Sequence, residues 1–99
     1  MQVNIVGRHL TLTPAIEEYI QKKMEKLPRH FDRVQQIDVI VQKESNEYHV
    51  EIVTDVEHHR DFVANGRHHD LYACIDATTD RAVRQLSDWK DRLRQHKQH

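Results

Sequence analysis

From Asp70 onward the chain carries one apolar stripe that only a long helix can gather onto a single side. Leu71, Ile75, Thr78, Ala82, Leu86, Trp89 and Leu93 advance by fours and threes, the spacing at which side chains share a helical face. Asp70 stands directly before the stripe, and its carboxylate can satisfy the free amides of a first turn. A helix that is apolar on one side only must bury that side against another element. The rest of the chain has to supply the surface.

A second helix starts at Thr13-Pro14, where threonine can cap and proline loses no hydrogen bond. Ile16, Ile20, Met24 and Leu27 form its stripe, with Tyr19 and Lys23 beside them, and Pro28 is expected to end it near Leu27. Strands show the two-residue period instead. Val3 and Ile5 oppose Gln2 and Asn4 over residues 2–6, and Gly7 breaks the pattern. Over residues 34–42, Ile37, Val39 and Val41 face inward and Asp38 and Gln42 outward, with Ile40 an exception on the wet side. After a turn at Ser45-Asn46, Tyr48, Val50 and Ile52 alternate with His49 and Glu51. A polar link at 57–60 leads to Phe62, Ala64 and Gly66, the inward face of a short, weak fourth strand. The order β-α-β-β-β-α predicts an α+β domain, a four-stranded sheet with two helices packed side by side on one face. Its first crossover should be parallel and right-handed. Ninety-nine residues make one domain.

Apolar residues at 37% and charged residues at 31% fit a soluble globular chain. No apolar run approaches bilayer length, and Met1-Gln2-Val3-Asn4-Ile5 does not read as a secretory leader. A lone cysteine, Cys74, forms no internal disulfide and suits the cytoplasm. The net charge of −1 conceals segregation along the chain. Between residues 38 and 61, Asp38, Glu44, Glu47, Glu51, Asp55, Glu57 and Asp61 face only Lys43 and Arg60. On one side of that acidic middle, Lys22, Lys23, Lys26, Arg29 and Arg33 outnumber Glu25 and Asp32. On the other, Arg81, Arg84, Lys90, Arg92, Arg94 and Lys97 outnumber Asp88 and Asp91. A polyanion responds to such local potential rather than to the total.

Lys22, Lys26 and Arg29 fall on one flank of the first helical stripe. On the last helix Lys90, Arg94 and Lys97 fall on one flank, Arg81 and Arg92 on the other, with Arg84 further round. With the helices side by side, these rows predict a basic furrow suited to a phosphate backbone. Taken alone, charged residues beside a buried stripe more often only solvate it. Other chemistry has weaker support. Adjacent residues on an extended segment point to opposite sides, so His58-His59 and His68-His69 do not read as metal sites. Cys74 could pair with His68 or His69 as a nucleophile, but it sits at the edge of the apolar stripe and no glycine-rich loop accompanies it. Asp70, Asp76 and Asp80 read as acids favouring the front of a helix whose rear is basic. Trp89 reads as core, and Tyr72 is open between core and stacking platform.

The run Asp70-Leu71-Tyr72-Ala73-Cys74-Ile75-Asp76 resembles the D-[ML]-Y-A-A-I-D signature of the ribosome hibernation promoting factor and ribosome-associated inhibitor A family, also called sigma-54 modulation proteins. Ile5-Val6-Gly7-Arg8 with Leu12-Thr13, Phe31-Asp32-Arg33-Val34, Arg84-Gln85-Leu86 and the tail from Lys90 to His96 extend the resemblance over nearly the whole chain. It implies the same β-α-β-β-β-α fold, similar in outline to a double-stranded-RNA-binding domain. It also implies binding to ribosomal RNA of the small ribosomal subunit, in the channel that messenger and transfer RNAs use. Short members lacking a C-terminal dimerisation extension support inactive ribosome dimers together with a separate ribosome modulation factor, and a chain stopping at His99 resembles these. The family's basic positions fall on Lys23, Lys26, Arg29, Arg33, Arg81, Arg84, Lys90, Arg92 and Arg94, while Lys22 and Lys97 join them on geometry alone. Cys74 replaces the usual alanine, Trp89 stands where a polar or basic residue is common, and Asp88 lowers the expected charge.

The expected function is therefore noncatalytic. The domain blocks the decoding groove of idle ribosomes, with no cofactor, no metal, no membrane and no small-molecule substrate. Two competing readings are a protein-interaction module modulating transcription through its acidic sheet face, and a small hydrolase built on Cys74 or a histidine cluster.

Overall fold

The structure, a computed structural model, describes residues 1–97 apart from the side chains of His30, His96 and Lys97. Strand β1 (Gln2–Arg8), helix α1 (Pro14–Met24), a short α2 (Leu27–His30), strands β2 (Val34–Glu44), β3 (Glu47–Val56) and β4 (Phe62–His68), and helix α3 (Leu71–Lys97) follow in order. The sheet runs β1-β2-β3-β4, with β1 parallel to β2 and the later pairs antiparallel. This is the expected α+β layout, with one element added.

Pro28 explains the addition. Its ring would press on the carbonyl of Met24 four residues back, and it has no amide hydrogen to donate there. Helix α1 consequently ends at Met24 rather than near Leu27, and the chain restarts as α2 with Pro28 in its first turn, where the missing hydrogen costs nothing. At the other end Thr13 caps α1, its hydroxyl accepting from the Ile16 amide at 3.2 Å. Gly7 does not break β1 either. It pairs with Val41, and a Cβ there would stand 2.8 Å from the Leu10 carbonyl oxygen and 3.0 Å from Leu12 Cγ. The glycine lets the returning loop cross close to the strand.

Alternation decides which sheet face is covered. Ile37, Val39 and Val41 of β2 and Val50, Ile52, Thr54 and Val56 of β3 are buried, with Ala64 and Gly66 of β4. Ile20 and Met24 from α1, Leu27 from α2, and Leu71, Ile75, Ala82 and Leu86 from α3 close over them. Fully burying one such aliphatic side chain contributes roughly 1.5–3 kcal/mol. Between successive inward positions, Asp38, Glu51 and Asp55 project from the opposite face. Phosphate groups would therefore meet acids on the open side of the sheet and helices on the other.

Asp70 sets the start of α3 as its position suggests. Its carboxylate accepts from the amides of Tyr72 at 2.9 Å and Ala73 at 3.3 Å, and its carbonyl accepts from Cys74 at 2.9 Å. Along α3, Leu71, Ile75, Thr78, Ala82 and Leu86 are buried, while Trp89 and Leu93 become half-buried as the helix outruns the sheet. Its last turns are thereby free to present side chains beyond the core. No helix among the described residues is long and apolar enough to cross a membrane.

Candidate nucleic-acid interface

Helix α3 offers different neighbours to its two flanks. One flank faces α1 and α2, where Tyr72 meets Tyr19 edge-on with ring centroids 4.9 Å apart. The other lies over β4, where Gln85 donates to the Val63 carbonyl at 2.8 Å. The basic residues sort accordingly.

Near the end of α3, Lys90, Leu93 and Arg94 face Phe31, Asp32 and Arg33 across a groove of about 260 Å³. Buried Phe31 and half-buried Leu93 are its apolar lining, and three cations stand against the single acid Asp32. Among the described residues, no carboxylate lies within ion-pairing distance of Lys26, Arg29, Arg33, Lys90 or Arg94. Those charges are available to an external anion.

Lys23 is spent differently. Its ammonium is 3.1 Å from Asp76 Oδ1, the same oxygen that accepts from the Tyr19 hydroxyl at 2.5 Å. This half-buried cluster fastens α1 to α3, so Lys23 serves the fold before it can serve a ligand. The Tyr19 hydrogen bond, and after it Lys23, hold the Asp76 carboxyl below the usual carboxylate range. Its bond to Asp76 raises the Lys23 ammonium, and the same partner raises the Tyr19 phenol. A depressed acid stabilises the fold above its unfolded pKa and loses that contribution as pH falls; a raised Lys or Tyr loses its contribution as pH rises. The cluster therefore contributes fully across the neutral range and weakens at both extremes. Asp76→Asn should flatten the acid limb of a stability-against-pH curve measured by urea unfolding. An acid limb identical to that of the parent would show that Asp76 is not an anchor.

The remaining expected contacts are not gathered into this groove. Lys22 is exposed on α1 and pairs with Glu18 at 3.3 Å. Arg29 is exposed on α2 rather than continuing an α1 row, because α1 has already ended. Arg81 reaches across β4 to donate to the Asn65 carbonyl and lies beside His49 and Arg67. Arg92 lines a separate cavity with Trp89, and Arg84 is exposed. The Lys97 side chain lies outside the described residues. The expected single trough thus resolves into one groove holding Arg33, Lys90 and Arg94, with Lys26 outside its lining on the α1–α2 connection, and a second set of arginines across α3. Asp76 was legible only as a front-half helix acid, and Tyr19 only as a neighbour of a stripe. The signal that could have joined them is Tyr19 and Lys23 lying four residues apart on one flank.

Other candidate chemistry meets ordinary packing. Cys74 is fully buried, with Sγ 3.3 Å from the Gly66 carbonyl oxygen, and burial pushes its thiol up, away from the reactive thiolate. His59 lies on Phe62 while His58 faces Glu57, so that doublet diverges. His68 accepts from the Asp70 amide at 2.8 Å, at the foot of α3.

Comparison with known proteins follows the same lines. A sequence model described as sigma 54 modulation protein / S30EA ribosomal protein matches residues 3–94. The ribosome hibernation promoting factor of Azotobacter vinelandii is 39% identical over 92 residues, covering 93% of this chain and 85% of that protein. That of Escherichia coli strain K12 is 34% identical over 96 residues, covering 97% of this chain and all of the other. A crystal structure of the N-terminal domain of Protein Y from Thermus thermophilus superposes with a TM-score of 0.82 at 29% identity, over 90% of this chain and 99% of that one.

Proposed function

The chain belongs to the sigma 54 modulation protein / S30EA ribosomal protein family, and on that premise we propose that it is a ribosome hibernation factor. It acts in the cytoplasm as a single ribosome-binding domain, holding ribosomal RNA of the small subunit and lying where messenger and transfer RNA would pass. The mechanism is steric. No bond is made or broken, and neither a cofactor nor a small-molecule substrate is called upon. With a separate modulation factor it supports inactive ribosome dimers.

The observation that carries this reading is the groove between Arg33 and the end of α3, where Lys90 and Arg94 meet Arg33 without a paired carboxylate among the described residues. Charge is also divided between the faces of the molecule, since Asp38, Glu51 and Asp55 lie on the far side of the sheet. That division orients the helical side toward phosphate.

Purified protein layered with small subunits on a sucrose gradient should travel with them at low salt. Three to four phosphate contacts would give a log-log salt slope of about −2 to −4. Protein that stays at the top of the gradient at low salt rules the reading out.

A further inference from the structure

On the flank of α3 that faces β4 lies a cavity of about 280 Å³ that the groove above does not use. His59, Phe62 and Trp89 wall it with rings, and Gln85, Asp88 and Arg92 supply its polar lining. The His59 imidazole rests on Phe62 with centroids 4.4 Å and planes 4° apart, and stands 4.3 Å from the Trp89 ring at 54°. All three rings are half-buried, so part of their aromatic surface stays open.

Three polar groups in the lining lack partners that their positions would normally provide. Gln85 donates Nε2 to the Val63 carbonyl at 2.8 Å, yet its buried Oε1 has no hydrogen-bond partner among the described residues. Buried acceptors are rarely left so. Asp88 and Arg92 are four residues apart on one helix, a spacing at which acid and base commonly pair. Among the described residues no ion pair joins them.

We propose that this cavity receives one unpaired RNA base, with guanine preferred. The inference rests on the reading that the chain binds ribosomal RNA, whose phosphates the opposite flank of the same helical turns would hold. Unpaired bases are recognised by stacking on aromatic side chains and by hydrogen bonds to their edges. Guanine alone presents N1–H and N2–H donors together, suited to the two oxygens of the Asp88 carboxylate, and O6 and N7 acceptors suited to Arg92. Adenine offers its amino group as a donor where the guanidinium needs an acceptor, and uracil has less ring to stack.

Trp89 is the only tryptophan in the chain, so its fluorescence reports on the pocket directly. The full chain is titrated at fixed salt with UUGUU, UUAUU and UUUUU RNA. The guanine pentamer should quench saturably and bind roughly tenfold more tightly than the others, the discrimination one bidentate contact commonly gives. Asp88→Asn removes a negative charge that repels every phosphate, so the adenine and uracil pentamers should bind more tightly, while the guanine pentamer also loses its carboxylate contact and the ratio between them should fall toward one. Equal affinities in the parent chain, or a ratio unchanged in Asp88→Asn, overturn the proposal. Protein that ignores the guanine pentamer yet travels with small subunits loses the pocket and keeps the ribosomal reading. Protein that prefers guanine but stays off the ribosome keeps the pocket and loses that reading.

Discussion

Exchanging Lys90 and Arg94 together for glutamate should lower affinity for small ribosomal subunits by about 30-fold at ~0.15 M salt, while the far-ultraviolet spectrum should stay that of the parent. Each phosphate contact contributes roughly 0.9 to the log-log salt slope, so losing two removes about 1.8. Counterion release contributes nothing near 1 M salt, and carrying the changed slope down to ~0.15 M costs about one and a half decades. Repulsion from the new carboxylates adds to this. The fold should tolerate the exchange, because both residues are exposed and neither has an ion-pair partner among the described residues. Lys23 makes the contrast. Its ammonium is held by Asp76, so a glutamate there would place two acids together and loosen α1 from α3. Co-sedimentation of the Lys90 and Arg94 double variant at parental salt dependence would show that RNA does not use this groove.

The contrast also marks what the sequence alone discloses. Stripes and alternation located every strand, both long helices and the covered sheet face, because a period of 3.6 or 2 leaves one side of each element apolar. Asp70 and Thr13 were legible as caps for the same local reason: a cap depends on residues two or three positions away. Pro28 is legible as a breaker, but α1 ends one turn before it, since its clash is with the carbonyl four residues earlier rather than with its neighbour. The groove was less legible. Charge rows on a helical wheel give the flank but not its neighbour, and the packing of α3 over β4 sends Arg81 to the Asn65 carbonyl and Arg92 toward Trp89. Nor does spacing within one helix reveal that Lys23 will find its acid on another, 53 positions along the chain.

The tight seat of α3 on β4 at Gly66 supplies the second large effect: Gly66→Ala should destabilise the domain by roughly 1–3 kcal/mol, the usual cost of overpacking a filled core. A methyl group there would stand 2.1 Å from Thr78 Oγ1 and 3.3 Å from Thr78 Cβ. Thr78 cannot readily yield. It is fully buried, and its hydroxyl donates to the Cys74 carbonyl at 2.7 Å. Relief therefore requires α3 to lift from β4, stretching the contact of Cys74 Sγ with the Gly66 carbonyl oxygen, 3.3 Å at present. A loss of that size lowers the melting temperature by roughly 4–8 °C per kcal/mol in a domain of this length. Removing the obstructing oxygen tests the cause. Thr78→Ala leaves a Cβ 3.3 Å from the new methyl, tight but close to ordinary contact, so the double variant should be more stable than the sum of the single losses. Urea unfolding of the four proteins measures the coupling. Strict additivity would mean that the methyl group is accommodated by moving something other than Thr78, and the close seat of α3 on β4 would then not be what fixes the height of the helix. Because Lys90 and Arg94 lie three to four turns further along that helix, a lifted α3 also shifts them relative to Arg33, and the Gly66→Ala chain should bind small subunits more weakly even where it is still folded.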